Sequence, residues 1–134
     1  MLKKRINLIK SDSLSTFRTF HEIENYGEIY SIDDYKFYID WAKRNNKRIF
    51  FLGNGSNTLF MRKKVKSLVL KNKLPKEIKC ISQDKGLFEI SSSTMVHEVL
   101  KYCFNNSLDS FYYLASVPAT IGGALAMNAG MAKY

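Results

Sequence analysis

Gly53-Asn54-Gly55-Ser56-Asn57 is a run with little side-chain cover, set between an apolar stretch ending at Leu52 and another at Leu59-Phe60. A tight hairpin needs only about two turn residues, so a longer run of small and polar residues implies a surface that something approaches closely. Backbone amides in such a run can surround an anion, and phosphate is the anion these nests commonly hold. Ser56 and Asn57 add side chains able to donate hydrogen bonds. A second run of the same character, VPATIGGALAMNAG, ends at Gly130. In it Pro118 fixes φ near the start of a turn, Thr120 can cap the turn after it, and Gly122 and Gly123 remove side chains. This run is expected to supply further free backbone donors and to lead into a short helical turn. Two donor loops suit the two phosphates of one pyrophosphate.

Neither loop matches a familiar phosphate fingerprint alone. No Gly-Lys-Ser/Thr follows Gly55, and Thr58 stands where a dinucleotide motif needs its third glycine. The signal lies in the pair, each loop following an apolar, strand-like stretch.

The elements that must position the loops are readable from period and punctuation. A strand ends within Ile29–Ile32. Ser31, with Asp34 three residues on, opens a helix over 32–46, with Tyr35, Tyr38, Ile39 and Ala42 as its buried stripe. Residues 47–52 and 67–71 read as strands on either side of the glycine loop, and Leu74-Pro75 breaks the chain. Residues 86–92 form a further strand and 94–105 a helix, with Val96, Val99, Leu100 and Cys103 on one face and His97 facing solvent. The class is mixed α and β.

Composition narrows the rest. The 134 residues make one domain's worth of chain, with 46% hydrophobic and 25% charged residues, ordinary for a globular protein. Cys80 and Cys103 form no metal or disulfide framework, and His21 and His97 are far apart, so neither metal binding nor a disulfide scaffold is expected. The basic start has no apolar core of a signal peptide. The uncharged stretch 110–132 is too interrupted by Pro118, glycines and polar residues for a membrane span. The net charge of +9 is concentrated in 61–79, where Arg62, Lys63, Lys64, Lys66, Lys71, Lys73, Lys76 and Lys79 face only Glu77. Such a patch attracts nucleic acid or an anionic nucleotide, but the stretch lacks the interleaved aromatics of a single-strand binder, so nucleic acid ranks last among the partners.

LGNGSNTLF together with VPATIGGALAMNAG resembles the FAD-binding domain of the UDP-N-acetylenolpyruvoylglucosamine reductase family, which shows LGxGSNxL and then IPGTVGGAxxMNAG in the same order. Thr16-Phe17-Arg18 matches that family's entry motif, and the likeness runs from about Leu14 to Gly130. It implies an α+β fold, the two-lobed FAD-binding domain of the vanillyl-alcohol-oxidase type. The first lobe would be about 1–73 and an incomplete second lobe about 74–134, with no substrate domain. It implies that Gly53, Asn54, Gly55, Ser56 and Asn57 cradle the pyrophosphate, and that Thr120, Gly122, Gly123, Asn128 and Gly130 approach the flavin nucleotide. It further implies a cytoplasmic enzyme that uses NADPH and FAD to reduce UDP-N-acetylglucosamine enolpyruvate for peptidoglycan synthesis.

Departures from the family pattern qualify this. Phe20-His21 stands where a Gly-Gly pair is usual, Ala119 replaces the glycine of IPG, and Met131-Ala132-Lys133 replaces AYG. The family's reactive tyrosine, arginine, serine and glutamate lie beyond residue 134. The expectation is therefore no catalytic residue here and no reduction by this chain alone, with the sugar nucleotide bound only if the missing part is supplied. The alternative is a non-catalytic remnant serving as a structural or interaction module, self-associating through the incomplete lobe.

Overall fold

A computed structural model describes residues 6–130. Contacts within the chain fall into two units, Met1–Leu74 and Pro75–Tyr134.

The first unit is built from strands β1 (Asn7–Ser11) and β2 (His21–Ile29), helix α1 (Ile32–Arg44), and strands β3 (Ile49–Leu52) and β4 (Lys64–Asn72). They form a four-stranded sheet in the order β1-β2-β4-β3. β1 runs antiparallel to β2, while β2, β4 and β3 are mutually parallel. The start of α1 follows from its sequence: the Ser31 hydroxyl accepts from the Asp34 amide at 3.1 Å, and the Asp34 carboxylate accepts from the Tyr30 amide at 3.1 Å. Asp33 and Asp34 in the first turn and Lys43 and Arg44 in the last complement the helix dipole.

Tyr38 and Ala42 pack on Ile29, Leu68 and Leu70 of the sheet. Gly27 makes that contact possible, because a Cβ there would lie 2.5 Å from the Tyr38 ring. The expected stripe is only partly buried. Tyr35 stays 42% exposed and stacks on Phe51 at 5.9 Å, over the edge strand β3. β4 begins three residues before the expected Ser67; exposed Lys64 and Lys66 alternate with half-buried Val65, so charge hides the strand period. β1, which sequence reading passes over, is fixed by its pairing with β2. The opposite face of the sheet buries Ile23, Leu52 and Val69 beneath Leu14 and Phe60.

The second unit holds the hairpin β5 (Ile78–Ser82) and β6 (Leu87–Ile90), helix α2 (Val96–Asn105), a 3₁₀ turn at Tyr112–Leu114 and helix α3 (Ile121–Ala126). β5 carries no apolar alternation, with Lys79, Cys80 and Ile81 all exposed, and only its pairing with β6 reveals it. Val96, Leu114, Ala119 and Ala124 form this unit's core. Val96, Val99 and Cys103 are the buried face of α2, and His97 is exposed as expected. Antiparallel and parallel strands with packed helices make the class α+β. No described helix is long and apolar enough to cross a membrane.

Candidate functional site

The first glycine run sits at the carboxyl end of β3. That is the end of a parallel sheet at which loops are free to bind ligands, because the strand pairing stops there. Gly55 has φ +81°, and a Cβ on it would lie 2.1 Å from the Leu14 carbonyl oxygen, so no other residue fits. The loop is strapped down by Leu14–Thr16. The Thr16 amide donates to the Gly55 carbonyl at 3.2 Å, and the Thr16 hydroxyl donates to the Ser56 carbonyl at 3.3 Å. The Ser15 hydroxyl, buried, donates to the Thr58 carbonyl.

The loop's carbonyls are thus turned toward the strap and held. Its amides are not: among the described residues, those of Gly53, Gly55, Ser56 and Asn57 have no protein acceptor. Successive unclaimed N–H groups around a residue of positive φ form an anion nest. The charge nearby has the right sign. The register sets Lys71 beside Leu52, one residue before the loop, and burial followed by the neighbouring Lys73 pushes its ammonium below the usual lysine range. Glu28, next to Lys71 across the sheet, is held below the ordinary carboxylate range, chiefly by the hydrogen bond from Tyr30, with a further bond from Tyr26.

The second run adopts the expected short helix, and Thr120 caps it: its hydroxyl accepts from the Gly123 amide at 3.1 Å. The expectation of free donors there is corrected. The Ile121 amide donates to the Thr94 carbonyl at 2.8 Å, the Gly122 amide to the Ser92 carbonyl at 2.9 Å, and the Ala124 amide to the Thr120 carbonyl at 2.8 Å. At the far end the Asn128 and Ala129 amides return to Leu125 and Ala124. Gly122 is glycine for packing, since a Cβ would sit 2.9 Å from the Ser92 Cβ and 3.0 Å from its carbonyl oxygen. Asn128, in the left-handed region at φ 47°, and Gly130, with open space around it, are exposed. The structure thus groups Gly53–Asn57 as one nest in the first unit. Thr120, Gly122, Gly123, Asn128 and Gly130 make one capped turn in the second.

The departures from the family pattern have local accounts. Phe20 is exposed. His21 is buried, with Nδ1–H donating to the Arg62 carbonyl at 2.9 Å, Nε2 at 2.6 Å from the Thr19 hydroxyl, and its ring against Phe60. Ala119 is buried in the second unit's core, and its carbonyl accepts from the Val96 amide at 2.9 Å. Met131–Lys133 lie outside the described residues. Sequence reasoning missed Ser15, and it counted Lys71 only within the basic stretch 61–79 rather than beside the loop. The entry motif Thr16-Phe17-Arg18 marked the strap's neighbourhood, and Lys71 stands out as a charge closing the apolar run Leu68–Leu70.

Comparison with known proteins identifies the family and the fold. The family described as "FAD binding domain" matches residues 28–134. A UDP-N-acetylenolpyruvoylglucosamine reductase from Aquifex aeolicus (strain VF5) is 34% identical over 120 residues, covering 88% of this chain and 39% of that protein. One from Prochlorococcus marinus (strain NATL2A) is 31% identical over 132 residues, covering 96% and 45%. The chain therefore spans less than half the length of these relatives. The crystal structure of UDP-N-acetylenolpyruvylglucosamine reductase from Thermus caldophilus shares the fold, with a TM-score of 0.67 at 17% identity over 94% of this chain and 44% of that one. The chain belongs to the FAD binding domain family, and within it to the kind found in UDP-N-acetylenolpyruvoylglucosamine reductases.

Proposed function

We propose that this chain binds FAD through the Gly53–Asn57 nest as the flavin-holding part of a UDP-N-acetylenolpyruvoylglucosamine reductase. The observation that carries the reading is the set of unclaimed amides at Gly53, Gly55, Ser56 and Asn57, at the carboxyl end of a parallel strand. Such a nest fits a pyrophosphate: it offers several N–H donors, a glycine that keeps side chains out of the way, and a lysine in the adjoining strand. Ser56 and Asn57 can add side-chain donors.

Bound FAD would supply hydride transfer from NADPH to the enolpyruvyl double bond of the sugar nucleotide in the cytoplasm. The chain's own part is to hold the diphosphate, exclude side chains from it and fix the loop through Leu14–Thr16. Protonation of the reduced substrate needs a positioned acid, and none is assigned to this chain, so it does not complete the reaction by itself.

Titration of the purified chain with FAD, followed by quenching of flavin fluorescence, tests the reading. Saturable binding that is abolished by Gly55→Ala is expected. A folded chain that leaves flavin fluorescence unchanged would reject it and favour a structural remnant. Mixing the FAD-loaded chain with NADPH and the enolpyruvyl sugar nucleotide should give no sustained turnover.

A further inference from the structure

A groove of about 480 Å³ in the first unit lies outside the glycine loop's nest. Its floor is the sheet face opposite α1, contributed by Val65 and Val69. Its wall is the crossover Thr58–Arg62, which carries the chain from β3 back to the start of β4. Strand alternation puts Arg48 and Phe50 on the same face as Leu52. Phe50 meets Phe60 edge-on, with centroids 6.0 Å apart, yet Phe50 remains 42% exposed. Arg48, Arg62 and Lys66 also line the groove, and none has a carboxylate partner among the described residues. Lys64, at the rim, is committed to Glu22 at 3.4 Å. Among the described residues no acidic one lines it.

An exposed Phe50 ring, backed by the half-buried Phe60, beside unpaired guanidinium groups is a specific combination. Guanidinium forks match phosphate oxygens bidentately, and aromatic faces stack on nucleobases. An acidic peptide would answer the charges and leave the rings in water. A nucleotide presents both a ring and an anion, and the volume falls in the range of small-ligand pockets, roughly 300–1,000 Å³. The linear stretch 61–79 lacks aromatics, but the fold brings Phe50 and Phe60 to its first cations.

We infer that this groove binds a nucleotide unit, its base against Phe50 and Phe60 and its phosphate at Arg48 and Arg62. The unit comes either from a single strand of nucleic acid or from a free nucleotide. The test uses a fluorescein-labelled oligothymidylate of about ten nucleotides, followed by anisotropy, and ADP, followed by calorimetry, each with and without saturating FAD. Replacing both exposed arginines (Arg48→Ala with Arg62→Ala) should weaken binding by about tenfold or more. For the strand it should also reduce the slope of log K against log salt by about 1.4, two phosphates at roughly 0.7 each. Phe50→Leu keeps the apolar bulk and removes the ring, and should weaken binding about fivefold or more. Lys101→Ala, an exposed cation of the second unit, should change nothing. Binding of the strand alone identifies nucleic acid as the source, and binding of ADP identifies a free nucleotide; either result supports the site. Failure of both probes to bind, unchanged affinity in the arginine and Phe50 variants, or displacement of the probe by FAD would overturn it.

Discussion

The two glycine-rich turns look alike in sequence and use their backbones in opposite ways. In the first, the carbonyls of Gly55, Ser56 and Thr58 are held by Ser15 and Thr16, while the amides of Gly53, Gly55, Ser56 and Asn57 stay unclaimed. In the second, the amides of Ile121, Gly122, Gly123 and Ala124 are all consumed by Thr94, Ser92 and Thr120. The same composition therefore yields a loop of open donors in one unit and a self-satisfied turn in the other. Glycine content measures how closely something can approach the backbone; it does not say whether that something is a ligand or the protein's own chain.

The contrast can be broken most forcefully at Gly55. Alanine there meets a left-handed backbone costing about 1–2 kcal/mol and a carbonyl oxygen 2.1 Å away. The two should together cost about 3 kcal/mol, read as a lower urea midpoint at unchanged m-value, together with loss of FAD binding. Gly122→Ala should cost less, about 1–2 kcal/mol, because Ser92 at 2.9–3.0 Å must shift by only a few tenths of an ångström. Gly130→Ala, with nothing in its way, should stay within about 0.5 kcal/mol by the same denaturation.

A finer probe is the cap of the second turn. Thr120→Ala removes the acceptor for the Gly123 amide and should cost about 1 kcal/mol in thermal unfolding, with Thr120→Ser restoring most of it. Were the second turn a donor nest like the first, freeing that amide would instead raise affinity for an anion at little cost in stability.

The smallest effect is electrostatic. Glu98 is held below the ordinary carboxylate range first by Lys76, at 2.9 Å, and then by the Met95 amide that it caps at 2.8 Å. A depressed carboxylate contributes stability above its unfolded value and loses that contribution as pH falls through the folded one. Glu98→Gln should therefore destabilise by a few tenths of a kcal/mol at neutral pH, since the pair is partly solvated. The difference from the parent should vanish in denaturation curves taken below the ordinary carboxylate range.

Much of the fold and part of the site are legible in the sequence. Ser31 with Asp34 specifies the start of α1, Leu74-Pro75 marks a break, and Thr120 announces its own cap. Tyr35 shares the spacing of the core stripe without being core, because helical spacing says which residues share a face and not how far the neighbouring sheet extends beneath them. β5 is invisible in the sequence because its exposed residues give no period.

Taken alone, the amino-acid order determined local matters: which residues tolerate a positive φ, which hydroxyl caps a helix, and where bare amides are supplied. Tertiary structure alone decided what those amides meet. The acceptors that silence the Ile121 and Gly122 amides come from Thr94 and Ser92, and the strap that holds the first turn comes from Leu14–Thr16. Those groups are distant in the chain, and a hydrogen bond is settled by the position of both partners, of which the local sequence fixes only one.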